Sequence, residues 1–475
     1  MAKTKIKIET EEQRLKRKAK EQKELAKREK ELSRPRTKAY VWYLLMILAT
    51  VQIIDEITTN ITTQMQSAIA VELFQDRLSI MTALSALSLP LVALAVLYKT
   101  FSDRYGRKPF LVINTVGMSL GLFMVFLSGK LTGMSAIVIY VIASCIINFF
   151  IPNDTQVLYV METAPADKRS RVFAIIKSVA MLGVMIIPLM RQTFMGDDTS
   201  RWNYVFLVPA IVAFVIAFVA LLLAKESEVF LRNRIAYLKM TDKERAEKEK
   251  EKSKEANAQG GIGNAFRFAF SHKQLKWIFL SYIVFCIGAM SINYYEKIAD
   301  TFYSTQEVTQ LLMLYPVANA LVTFVNGFFA DKLGRKKTVV LMSALSFVSF
   351  TMFFIACKLH LNPYLAGFFV GCYTGSYWAA GDVMGGIMVS ESSPTNLRAS
   401  LLSAHTMLSV LGKMLAMLVP LIVLLVTKDN YNILGTLCIC ATAPALFIAL
   451  MLFTKNVGDT TGIDLNTVRG DEWDK

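Results

Sequence analysis

Eight ionisable residues sit inside long apolar runs, where a charge is costly to keep and is normally paired or turned toward water. Asp55 and Glu56 lie in VQIIDEITTNITTQMQ, Asp154 in FIPNDTQ and Asp382 in TGSYWAAGDVMGG. Lys177, Glu296, His405 and Lys413 complete the set. A carboxylate that is alternately buried and exposed can take up a proton and release it, because burial favours the neutral acid. Asp55, Glu56, Asp154 and Asp382 are therefore the candidate proton-coupling groups. Asp55 and Glu56 are adjacent, so they cannot share one face of a helix. Asp154 lies eight residues before Glu162, and Lys177 eight residues after Arg169. Each is thus about 12 Å along a helix from its loop, and the two are expected as a buried ion pair. Asp382, nine residues before Glu391, lies at about 13 Å. Glu296 is expected at the opposite surface, solvated, and His405 as a packed or solvated side chain.

Amide, hydroxyl and aromatic groups accompany these charges. Asn60, Gln64, Asn153, Gln156, Tyr294, Tyr377 and Trp378 could stack on and hydrogen-bond a sugar or another small polar solute. Lys177 and Lys413 leave an organic anion open. No nucleophile–base arrangement, metal-ligand spacing or phosphate loop appears, so no enzymatic activity, metal or cofactor is expected. The six cysteines fall in apolar segments and read as small packing residues.

The elements that must position these residues are helices in a membrane. Of 475 residues, 54% are hydrophobic and only 19% charged. The charges gather in an N-terminal tail, a central segment and short loops, separated by apolar runs of the length that crosses a bilayer. Spans are expected near 39–66, 79–99, 109–129, 134–160, 171–191 and 203–224, and again near 275–298, 308–330, 338–357, 362–389, 399–427 and 433–454. This divides the chain into a basic tail (1–38), a first six-helix bundle (39–224), a charged linker (225–274), a second six-helix bundle (275–454) and a polar tail (455–475). The net charge of +15 does not call for nucleic acid. Fifteen Lys and Arg lie in residues 1–38, and the rest of the excess follows the loops that the positive-inside rule places in the cytoplasm. Both termini are expected there, in a multi-pass protein of the cell membrane. The tail is expected either as a solvated helix that could rest on an anionic membrane face or as a disordered or loosely helical segment.

A repeat ties the halves together. Asp103, Arg104, Gly106 and Arg107 return as Asp331, Lys332, Gly334 and Arg335, an offset of 228 residues. Glu162, Pro165 and Arg169 return as Glu391, Pro394 and Arg398, an offset of 229. Gly106 and Gly334 suit tight turns. The charges beside them could latch one face of the molecule in one state and release it in another.

These loops resemble those of the major facilitator superfamily (MFS), whose signature is G-x-x-x-D-[RK]-x-G-R-[RK]. Gly327 through Lys336 match it fully, whereas Lys99 stands where the first copy would have glycine. The E-x-x-P-x-x-x-R pattern is similar to Glu162–Arg169 and Glu391–Arg398. The resemblance covers about residues 39 to 454. It implies an all-α membrane fold of twelve helices in two six-helix bundles, working as a monomer by alternating access. Asp103, Arg104, Gly106, Arg107, Glu162, Arg169, Gly327, Asp331, Gly334, Arg335, Glu391 and Arg398 become gating residues. The expected activity is secondary transport of a sugar-like solute coupled to protons or another cation such as sodium, with membrane lipids as surroundings. An organic-anion symporter, an efflux antiporter, and more remotely a receptor or channel are the alternatives.

Overall fold

The structure is a computed structural model that describes residues 11–151, 155–163, 169–196, 198–241, 244, 262–394 and 397–461. All regular elements among them are helices. Ten are long and apolar enough to cross a membrane: Lys38–Gln64, Arg107–Ser128, Gly133–Val157, Ile175–Phe194, Thr199–Leu223, Lys273–Asp300, Thr305–Asn326, Arg335–Lys358, Ser400–Thr427 and Tyr431–Asn456. Helices keep every backbone N–H and C=O paired where lipid offers no partner. The chain is thus an all-α, multi-pass membrane protein.

Two other expected spans are helical but interrupted. The stretch expected at 79–99 runs as Leu78–Ala86, Leu89–Thr100 and Ser102–Tyr105. It breaks just ahead of Pro90, which has no N–H to continue the ladder. The stretch expected at 362–389 runs as Pro363–Gly381, a π-helical turn over Asp382–Ile387, and Met388–Glu391. Such turns insert a residue into a helix and recur at functional sites.

The side that carries the loops near 101–107 and 332–335 is called here the basic face, and its opposite the far face. One apolar core joins both halves, with Met65, Ile69 and Phe74 in the same cluster as Tyr294, Ile298 and Leu312. A second core belongs to the first half alone and lies toward the basic face: Leu44, Leu48, Val51, Leu111, Tyr159 and Ala220. The halves therefore share a core at the far face. In the second half, Gly367, Gly371 and Gly375 form a stripe against helix Thr305–Lys332. A Cβ at Gly367 would stand 2.0 Å from the Leu311 carbonyl oxygen, and one at Gly371 would stand 2.4 Å from that of Tyr315. Only glycine permits such close backbone packing.

The charged segments are more ordered than their composition suggests. Helix α1 (Glu11–Leu32) lies against a second helix, Glu228–Lys239, within the expected linker. Glu24 binds Arg234 at 3.0 and 3.1 Å, Lys239 binds Glu29 at 2.8 Å, and the Arg28 guanidinium lies 5.4 Å from the Phe230 ring centre. The tail is a docked helix rather than a solvated one, because its carboxylates find cations beyond the end of span Thr199–Leu223.

Candidate functional site

Three sets of charges organise the space between and beside the halves. The first two are copies of each other at the basic face. In the first half, Gly106 takes φ +116° and starts helix Arg107–Ser128. The Arg107 side chain donates to Glu162 Oε1 at 3.1 and 3.2 Å and to Ser102 Oγ at 2.9 Å. In the second half, Gly334 takes φ +89°, and Arg335 donates to Glu391 Oε1 at 3.2 and 3.3 Å and to the Ala330 carbonyl at 2.9 Å. The two motifs of the repeat thus meet in space, arginine of one on glutamate of the other, within each half.

A second acid completes each copy. Glu226 accepts the backbone N–H groups of Arg107 and Lys108 at 2.8 and 3.1 Å, capping the helix N-terminus where negative charge is favoured. Asp459 accepts Arg335 N–H at 3.3 Å. A neighbouring hydroxyl closes each ring: Ser227 donates to Glu162, and Thr460 donates to Glu391 at 2.5 Å. This explains the glycines more fully than a turn does. A Cβ at Gly106 would lie 2.2 Å from Glu226 Oε2, and one at Gly334 would lie 2.6 Å from Asp459 Oδ2. Burial pushes the Glu226 carboxyl above the usual range despite its N–H donors. Burial also acts upward on Asp459, but bonds from Thr461, Arg335 and Lys336 outweigh it and hold that carboxyl below the usual range.

The third set crosses the halves at the far face. Arg191 donates to Glu296 at 3.0 Å, with side chains only 2% and 0% exposed. Glu296 also accepts Ser67 N–H and Oγ–H at 2.9 and 2.7 Å. Arg191 reaches the Gln64 carbonyl and, at 3.4 Å, Thr309. Around this pair, Lys297 binds Asp76 at 3.0 Å, Ser79 donates to Asp429 at 2.8 Å, and Tyr315 donates to Asn60 Oδ1 at 3.0 Å. The expectation that Glu296 is solvated is corrected. It is buried because the two halves close over it, a contact that spacing along one helix does not reveal.

Lys177 sits fourteen residues before Arg191, about 21 Å nearer the basic face along the same helical path. It also crosses the halves, binding Asp382 at 3.0 Å, but here the side chains are 32% and 58% exposed. The pair therefore lies between the halves and is far more exposed than Arg191–Glu296. Asp154 and Asn153, two of the expected site residues, lie outside the described residues. Asp382 stands at the start of the π turn, and His405 packs beneath that turn with its ring 4.3 Å from Tyr282 and 5.1 Å from Phe279.

The remaining expected site residues scatter. Tyr294 is buried and donates to Thr82 at 3.3 Å; Tyr377 is buried, stacked on Phe285 and bonded to its carbonyl. Gln64 and Gln156 are buried, whereas Trp378 is exposed with Lys413 5.9 Å from its ring centre. Gln52 donates to Asp55 at 3.3 Å and to Glu56 at 3.4 Å, so both carboxylates share one amide. Asp103, Arg104, Arg169, Gly327, Asp331 and Arg398 are located by their helices alone. Sequence reading missed Arg191, Glu226 and Asp459. The signal available for the last two was an acid followed by a hydroxyl residue, Glu226-Ser227 and Asp459-Thr460, just past the final span of each half.

Comparison with known proteins agrees with this geometry. The family model described as Major Facilitator Superfamily matches residues 39–303. No curated protein matches. Among solved structures, the inward-open xylose transporter XylE from E. coli is similar over 90% of this chain and 99% of its own, at 17% identity and TM-score 0.66. The proton:xylose symporter XylE bound to 6-bromo-6-deoxy-D-glucose is similar over 92% and 100%, at 16% identity and TM-score 0.63. A variant of the nucleoside transporter NupG is similar over 86% and 100%, at 13% identity and TM-score 0.60. At these identities the solved structures speak to fold, and the family model covers more than half the chain. The chain therefore belongs to the Major Facilitator Superfamily of secondary transporters.

Proposed function

We propose that this protein imports a small polar solute, sugar or sugar-like, by alternating access coupled to protons. Two six-helix bundles, 39–224 and 275–454, would rock about a path between them. The interrupted stretches 78–105 and 363–391 would supply the two spans beyond the ten. The basic face would be cytoplasmic, with both termini there, and the protein would work as a monomer in the cell membrane. The observation that carries the reading is the contrast between the two cross-half ion pairs. Arg191–Glu296 is buried, while Lys177–Asp382 is exposed and about 21 Å away along the same path. That is the pattern of a carrier closed at one face and open at the other. Similarity to a protein titled a proton:xylose symporter supports the solute class and the proton.

Asp382 would be the coupling carboxylate, releasing Lys177 when protonated, with Asp55, Glu56 and Asp154 as further candidates. Asn60, Gln64, Asn153, Gln156, Tyr294, Tyr377 and Trp378 would supply the polar and aromatic surface for the solute. Lys413 beside Trp378 favours the second reading, an organic anion. The test is uptake into proteoliposomes from a pooled solute library, with proton and sodium gradients imposed separately. Saturable uptake driven by the proton gradient, lost in Asp382→Asn while solute exchange persists, supports the proposal. Flux indifferent to the gradient in both proteins overturns it.

A further inference from the structure

Helix α1 sorts its charges. The side facing Glu228–Lys239 carries Glu21, Glu24, Arg28 and Glu31, and its carboxylates are taken up there: Glu24 by Arg234, and Glu31 by the backbone N–H of Glu226 at 3.2 Å. A different stripe carries Lys16, Lys20, Lys23, Lys27 and Lys30, all exposed. Their spacing of four, three, four and three residues places them within about 80° of one another and about 21 Å from end to end. Lys16 pairs with exposed Glu12, and among the described residues the other four form no salt bridge. Like charges at this spacing repel along a helix. The stripe therefore weakens α1 in water and strengthens it only against an extended anionic surface.

The helix is held where such a surface lies. Its last residue, Leu32, is six residues before Lys38, which opens the first span, so the connection can reach at most about 20 Å. Its docking partner begins five residues after Leu223, where another span ends. Both tethers keep α1 at headgroup level.

We infer that the lysine stripe of α1 docks on anionic phospholipid headgroups of the leaflet at the basic face. The chemistry is a row of ammonium groups against a sheet of phosphates, each amine near the surface adding an increment of attraction that salt screens. The consequence reaches the first-half cluster. Arg36 donates to the Glu226 carbonyl at 2.5 Å, and Glu226 caps the helix whose first residue, Arg107, grips Glu162. Lipid composition would thereby set how firmly that cluster is held.

The experiment places the full chain in nanodiscs of phosphatidylcholine with and without phosphatidylglycerol and measures labelling of each lysine by a neutral amine reagent. Stripe lysines should label roughly tenfold more slowly with the anionic lipid and recover at high salt, as expected for several amines at a charged surface. Lys18, exposed off the stripe, is the internal control and should change little. Equal rates in both lipids, or an equal slowing at Lys18, would overturn the inference. Hydrogen exchange of α1 gives a second readout. It should slow with anionic lipid in the parent and not in the Lys16, 20, 23, 27 and 30→Gln variant; slowing in both also overturns it. Neither readout needs transport, so failure here is separable from failure of the solute and coupling assignment.

Discussion

At the basic face each half closes on itself, Arg107 on Glu162 and Arg335 on Glu391, whereas at the far face Arg191 reaches across the halves to Glu296. The first arrangement is repeated in each half, whereas the Arg191–Glu296 pair joins the halves and is not copied by the repeat among the described residues. That difference has a mechanical meaning. A bond within a half moves with it and survives any rocking of one half against the other. A bond across the halves must break when they part. In the proposed rocking of the halves, the repeated clusters would stiffen each half, and the Arg191–Glu296 pair would report which face is closed. Their burial differs in degree, with the within-half pairs keeping 12–17% of their side-chain surface exposed and Arg191–Glu296 only 0–2%.

The sharpest way to break this comparison is to remove one member of the far-face pair. Arg191→Met leaves Glu296 buried without its cation, and such single deletions cost about 3–5 kcal/mol. The expected outcome is that the far face no longer seals, read as faster hydrogen exchange in helix Gln66–Phe74, whose Ser67 bonds Glu296. The double variant Arg191→Met with Glu296→Met should restore slow exchange, because apolar replacement of both buried charges is often neutral or stabilising. If exchange in that helix is unchanged in the single variant, the pair is not a seal.

A smaller effect is expected at the basic face, and of a different kind. Glu162→Gln weakens charge-assisted bonds of a class that contributes about 1.5–3 kcal/mol. It should lower the midpoint of thermal unfolding while leaving exchange at Gln66–Phe74 as in the parent. Gly106→Ala should act alike, since a Cβ there combines positive φ with an approach of 2.2 Å to Glu226. Gly334→Ala should be milder, its nearest oxygen being 2.6 Å away. Acceleration of far-face exchange by any of these would mean that the within-half clusters do change with state.

How much of this could be read from sequence follows from how far each signal reaches along the chain. The repeat was legible because its residues lie in short motifs, and the structure joins Arg107 to Glu162 and Arg335 to Glu391 as one constellation per half. The apolar runs fixed most spans for the same local reason. Pairing across helices was not legible. Depth alone pairs Lys177 with Asp154, at about 12 Å; Asp154 lies outside the described residues, and the cross-half bond of that amine to Asp382, at about 13 Å, was not legible from depth. Arg191 read as an unremarkable span end, because nothing within its own helix announces Glu296. Glu226 stands 119 residues from the N–H group it caps. The order of α1 escaped composition because its docking depends on cations that lie some two hundred residues away.

The finest distinction lies between the two basic-face clusters themselves. Glu226 and Asp459 hold equivalent places, yet burial raises the first carboxyl while hydrogen bonds lower the second. A raised folded pKa means the folded state binds the proton more tightly. Glu226 therefore adds stability that is full below its ordinary value and is lost as pH rises through the raised one. Asp459 has the opposite sign: its contribution is full above the ordinary value and is lost as pH falls through the lowered one. Mild acidification from neutrality should thus firm the first-half cluster before stronger acid loosens the second. Thermal unfolding followed against pH checks this with two variants. Glu226→Gln should flatten the profile between neutrality and the ordinary carboxylate range, and Asp459→Asn should flatten it only below that range. Identical profiles for the two variants would show that the copies are equivalent in energy as well as in place.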